Sequence, residues 1–134
     1  MIGERRTLLV TGASGRIGRA IWVRLQARGD DPRGLDRRMG PAVQWLADIG
    51  DDAMLKRACE GVDAVVHTAA LHAPHVDHVA DTEFERINVD ATRKLLDVAA
   101  RAGVPRIVFT STTALYGDAS IAAGRATWVD EDLT

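Results

Sequence analysis

Glycines at positions 12, 15 and 18, placed directly behind the apolar run Arg6–Thr11, constrain this chain more than any other feature. A short apolar run bounded by glycine reads as a buried parallel strand. The stretch Thr11-Gly12-Ala13-Ser14-Gly15-Arg16-Ile17-Gly18 then has the spacing of a phosphate-cradling turn between strand and helix. Gly12 permits the tight exit from the strand, Gly15 lets backbone approach a pyrophosphate, and Gly18 lets the helix press against the sheet. A helix starting here offers unpaired N–H groups to an anion. Three glycines can merely serve turns; the strand before them, the helix after them and an acidic residue downstream argue for a dinucleotide. That residue is Asp36, 24 positions beyond Gly12, where a second strand should end. A carboxylate there accepts both ribose hydroxyls and repels a 2′-phosphate, which favours NAD. Arg37 and Arg38 follow it and keep NADP open, because a guanidinium can accommodate the extra phosphate.

The remaining chain alternates strands with helices. Ile17, Ala20, Ile21, Val23 and Leu25 suit a helix packed on one face, stopped at Gly29–Pro32, and Gly34–Asp36 ends a second strand. Ala42–Ala47 reads as a third strand. Asp51 is placed to cap a helix through Met54, Leu55 and Ala58, closed by Gly61. Asp63–Thr68 is a fourth strand, and Leu71–Thr82 a loop with a short helical piece. A long helix takes in Phe84, Ile87, Val89, Ala91, Leu95, Leu96, Val98 and Ala99; Arg106–Thr110 is a fifth strand; Gly117–Thr134 has no regular pattern, with Trp128 and Val129 packing it down. This order predicts an α/β fold with a parallel sheet covered on both faces.

Composition narrows the class. With 134 residues the chain holds one domain, and 46% hydrophobic against 27% charged residues is a globular balance. A net charge of -2 gives no reason to expect a nucleic-acid or anionic-membrane partner. No apolar run is long enough to cross a bilayer and no secretory leader is visible, so the expected compartment is the cytoplasm. The single cysteine, Cys59, reads as a small buried hydrophobe. His72, His75 and His78 recur every third residue with Asp77 and Asp81 nearby, but Pro74 interrupts helical regularity, and no metal site is assigned.

Five segments in order resemble the extended short-chain dehydrogenases/reductases, in the NAD-dependent epimerase/dehydratase group. They are Thr11–Gly18, Asp48-Ile49, His67-Thr68-Ala69-Ala70, Asn88-Val89-Asp90-Ala91-Thr92 and Ser111-Thr112-Thr113-Ala114-Leu115-Tyr116-Gly117, with Ala91 replacing the usual glycine. The resemblance implies a Rossmann-like doubly wound sheet of about five strands, shortened relative to the family. It places Gly12, Ala13, Ser14, Gly15, Arg16, Ile17, Gly18, Asp36 and Arg37 around the cofactor, with Asp48 and Ile49 beside the adenine. Asp48 equally suits a turn or helix start. Ala69 and Ala70 would leave room for a ribose, and Ser111 would lie near the cofactor. Asn88 would bond within the cofactor site or hold the adjacent loop. His67 reads as structural. Thr112 matches the catalytic Ser/Thr position, where a hydroxyl hydrogen-bonds the reacting oxygen of a small-molecule substrate. The resemblance also puts the loop after the fourth strand near the substrate entrance.

The family's general base is a tyrosine in a Tyr-x-x-x-Lys pair. Here the sole tyrosine is Tyr116, the residue four positions on is Ser120, and the only lysines are Lys56 and Lys94. An unactivated tyrosine, with a pKa near ~10, is a poor base at neutral pH. The expectation is therefore the incomplete cofactor-binding domain of a longer enzyme, inactive by itself, with the catalytic pair and substrate domain lying beyond residue 134. The exposed sheet edge of such a fragment would self-associate, take a complementary fragment or leave the chain unstable. The competing expectation is a non-catalytic NAD-binding sensor or interaction module.

Overall fold

The computed structural model describes residues 5–72 and 75–112. The sequence expectations on Thr113–Thr134, including Tyr116, Trp128 and Val129, and on Pro74 lie outside the described residues. Five parallel strands form one sheet: β1 (Thr7–Thr11), β2 (Asp31–Asp36), β3 (Trp45–Leu46), β4 (Ala64–His67) and β5 (Ile107–Phe109), in the spatial order β3-β2-β1-β4-β5. The order reverses beside β1, which pairs with β2 on one side and β4 on the other. In open α/β sheets a crevice forms at the carboxyl ends of the strands at such a point.

β1 is buried on both faces, and its side chains alternate between two cores. Leu9 joins Leu35, Val65, Leu55, Leu95 and Ala99, which brings in α2 (Asp52–Ala58) and α4 (Ala91–Arg101) on one face. Leu8 and Val10 join Val66 and Leu25, which brings in α1 (Arg16–Ala27) on the other. The packed side of α1 runs through Gly18, Ile21 and Leu25, whereas Ile17 and Val23, expected on the buried face, are 57% and 52% exposed. Counting apolar residues placed the stripe wrongly because a glycine holds one of its packing positions.

β2 begins earlier than Gly34 and runs through Pro32. Asp31 N donates to Arg6 O at 2.7 Å, so the next residue turns its missing N–H away from β1, where β3 has not yet begun. Proline is tolerated at such an edge. β3 is only two residues long; Gln44 and Ala47 continue its bonding to β2 at either end. Asp51 caps α2 as expected, accepting from Met54 N at 3.1 Å. The long helix is broken in phase: α3 (Asp81–Glu85) passes into a π turn, Arg86–Asp90, before α4.

A buried polar chain ties the strand ends to α4. Thr11 Oγ1 accepts from Thr68 N and Ala69 N, both at 3.3 Å, which directs its own proton to His67 Nδ1 at 2.6 Å. His67 Nε2 therefore carries the ring proton and donates to Thr92 Oγ1 at 3.0 Å. Both ring nitrogens are satisfied by the neutral imidazole, and His67 is 2% exposed.

Burial holds the His67 pKa down to about 4 from its ordinary 6.5. Between those values the unfolded chain takes up a proton that the native chain does not. The stability contributed by the neutral His67 is therefore fully present above about pH 6.5 and is lost as pH falls toward 4. His67→Gln is expected to lower stability at neutral pH by about 1–3 kcal/mol and to flatten its decline with acid, measured as urea midpoints from about pH 7 to pH 4.5. An unchanged pH slope in the variant would count against the neutral-imidazole assignment.

Candidate dinucleotide site

Four of the five segments, and Asp36 with them, lie at the carboxyl ends of the strands, whereas Asn88–Thr92 lies in the π turn and the start of α4. Gly12–Gly18 leaves β1, Asp36 ends β2, Asp48-Ile49 follows β3, Ala69-Ala70 follows β4, and Ser111-Thr112 follows β5. Thr110 N still donates to His67 O, which carries the ladder to the threshold of Ser111; both Ser111 and Thr112 are exposed.

The glycine loop is built by close backbone approach. Gly12 has φ +70°, and a Cβ there would meet Ala69 N at 2.8 Å. A Cβ at Gly18 would lie 2.2 Å from Gly12 O, so α1 can sit on the loop only without a side chain at that position. Gly12 N and Ala13 N both donate to Leu35 O, and Gly15 N donates to Gly12 O. Ala13 is fully buried and its amide is committed, so it shapes the loop from below.

The amides that remain for an anion are those of the first turn of α1, starting at Arg16. Gly15 occupies the cap position with no side chain to bond them. Arg16 and Ile17 are exposed at this end. Ser14 Oγ is buried without a hydrogen-bond partner.

Asp36 is bonded to this loop directly: Oδ2 accepts from Ser14 N at 3.1 Å and Oδ1 from Arg38 N at 2.8 Å. Each oxygen keeps a lone pair for a further donor. Amides for a diphosphate, a carboxylate acceptor for a diol and an unpartnered hydroxyl form a set of polar groups that fits a dinucleotide. Arg37 is exposed one position on, and its charge reaches Asp48 and Glu83.

Three other candidates have partners within the chain. Asn88, in the π turn, accepts from Leu71 N at 2.8 Å through Oδ1 and donates to Leu71 O at 2.9 Å through Nδ2. Of its two expected roles, this is the loop-holding one. Ile49 is buried in the core. Asp48 is held by Arg86, whose guanidinium donates to both carboxylate oxygens, and by Gly50 N. These bonds, the Arg86 one foremost, keep the Asp48 carboxyl below the usual range. Arg86 was missed by sequence reasoning: it stands 38 positions from Asp48, and only its place beside the Asn88 motif could have flagged it.

Among the described residues no three His, Cys, Asp or Glu side chains converge as metal ligands, and no helix is long and apolar enough to cross a membrane. The His72 and His75 rings lie 4.9 Å apart. An open hollow of about 790 Å³ is formed by the β4–α3 connection, with Val76, His78, Asp81 and Phe84 among its walls and none of the glycine-loop residues.

Comparison with known proteins agrees with this geometry. The chain is 37% identical over 119 residues to sterol demethylase protein B of Methylococcus capsulatus, covering 83% of this chain and 36% of that one. A short-chain dehydrogenase/reductase superfamily protein from Agrobacterium tumefaciens, solved with bound NAD, superposes with a TM-score of 0.80 at 33% identity, over 96% of this chain and 38% of that one. The UDP-glucose 4-epimerase of Stenotrophomonas maltophila, solved with NAD and formylated UDP-arabinopyranose, gives 0.74 at 28% identity over 84% and 39%. The chain thus spans little more than a third of the length of these relatives. The family model described as NAD dependent epimerase/dehydratase matches residues 8–130, and the chain belongs to that family.

Proposed function

We propose that this chain is the cofactor-binding part of an NAD-dependent epimerase, dehydratase or related oxidoreductase acting at a carbinol or carbonyl carbon. The observation that carries the reading is the bond from Ser14 N to the Asp36 carboxylate beneath an uncapped helix start. It puts an acceptor for ribose hydroxyls beside donors for a diphosphate. The first-turn amides from Arg16 would hold the diphosphate, with Gly15 letting the backbone approach it and Gly12 and Gly18 setting the loop and the helix start in place. Asp36 would take the ribose, Asp48 and Ile49 the adenine, and Ala69, Ala70 and Ser111 the nicotinamide half. Asn88 would set the position of the wall that carries Leu71.

NAD supplies reversible hydride acceptance at a carbinol carbon. Thr112 would hydrogen-bond the reacting oxygen of the substrate. A sugar nucleotide is the proposed substrate class, since related enzymes are solved with UDP-sugars. The β4–α3 hollow would lie at its entrance. The 134-residue chain is proposed to be inactive alone, because no lysine stands one helical turn from its tyrosine. Val108 and Phe109, each 56% exposed on β5, mark the edge where self-association or a complementary fragment would be accommodated.

Two outcomes test this reading. Calorimetric titration should give tighter binding of NAD than NADP, and Asp36→Ala should weaken NAD by about tenfold or more while narrowing the difference between the two. Equal affinities in the unaltered chain would overturn the assignment of Asp36. Gly18→Ala, which sets a methyl against Gly12 O, should abolish binding. Purified chain with NAD and candidate alcohols should show no turnover. Robust turnover would refute the proposed dependence on a tyrosine-lysine pair.

A further inference from the structure

The Asp48 carboxylate is held more closely than either a turn residue or a free base-reading acceptor requires. Arg86 donates Nη1 to Oδ1 at 2.9 Å and Nη2 to Oδ2 at 3.0 Å, a fork on both oxygens, while Gly50 N donates to Oδ1 at 2.7 Å. Glu83 grips the same guanidinium, taking Nε and Nη2 at 2.7 Å each. The fork fixes the carboxylate in one plane. Oδ1 then has two donors and Oδ2 has one, so one acceptor position remains, on Oδ2. Asp48 lies just past β3, one strand outward from Asp36, with Leu46 paired to Asp36 in register. The Asp48 side chain is 37% exposed, so a donor arriving from solvent can reach this carboxylate.

From this geometry we infer that Arg86 is a positioning residue that makes the site selective for a purine bearing an exocyclic amine over one bearing a carbonyl at the same place. The inference rests on the dinucleotide reading above and extends it to a residue outside the glycine loop. An ionised carboxylate can only accept, so the adenine amine satisfies Oδ2, whereas the C6 carbonyl of hypoxanthine sets acceptor against acceptor. Arg86 supports the discrimination by fixing the oxygen and by favouring the charged carboxylate. Without the fork Asp48 can rotate away, and the two bases become equivalent.

The test compares affinities for NAD and for its deamino analogue, which differs only in carrying hypoxanthine. A merely structural role for Arg86 would weaken both ligands alike and leave their ratio unchanged. The unaltered chain should prefer NAD by about tenfold. Arg86→Met should bring the ratio close to one, and Arg86→Lys, which keeps the charge but loses the fork, should give an intermediate value. Asp48→Asn, whose amide can turn an N–H toward a carbonyl, should shift the preference toward the analogue. Should Arg86→Met fail to fold, Arg86→Lys and Asp48→Asn carry the comparison. NAD binding with the same ratio in the Arg86 variants, or equal affinity for both ligands in the unaltered chain, overturns the role of Arg86 while leaving the NAD reading intact. A folded chain that binds neither dinucleotide overturns both.

Discussion

The contact between Gly18 and the carbonyl of Gly12 decides where α1 can sit. With a Cβ at position 18 only 2.2 Å from that oxygen, the helix would have to lift from the loop or the loop from the sheet. Because there is none, α1 starts immediately behind the end of β1 and lays Ile21 and Leu25 on Leu8, Val10 and Val66. The first-turn amides then point outward at the carboxyl edge of the sheet, where the strand order reverses. The same packing that buries one face of the sheet thus orients the donors of the site.

The helix covering the other face contributes differently. Its π turn shifts phase without breaking the helix, and π turns of this kind recur at functional sites. Ile87, Ala91 and Leu95 stay in the core while Arg86, Asn88 and Thr92 bond outward to the ends of β3 and β4 and the residues that follow them. Arg86 takes Asp48 after β3, Asn88 takes Leu71 after β4, and Thr92 takes His67 at the end of β4. One short stretch braces the loops of two strands. Most of these bonds end on buried or half-buried groups, where loss of one partner costs more than at the surface.

Features encoded in neighbouring residues were legible in the sequence. The glycine loop, the alternation of strands and helices, the Asp51 cap and the place of Asp36 all follow from spacing within a few residues or from one strand-helix repeat. Features set by residues distant in sequence were not. The Asp48–Arg86 pair spans 38 positions and the Thr11–His67 bond 56, and nothing local announces either. The buried stripe of α1 was misplaced because Gly18, an interface residue, has no side chain to count. The start of β2 was hidden by Pro32, which reads as a stop until the one-sided bonding of that strand is known.

The function proposed for this chain requires a diphosphate to bind against the first-turn amides of α1. Amide chemical-shift mapping by NMR during titration with NAD tests it most directly. The largest shifts are expected at Ser14, Arg16, Ile17 and Gly18, with smaller ones near Asp36 and Asp48. Shifts confined to the hollow around Val76 and Phe84, or absent from a folded chain at millimolar NAD, would contradict it.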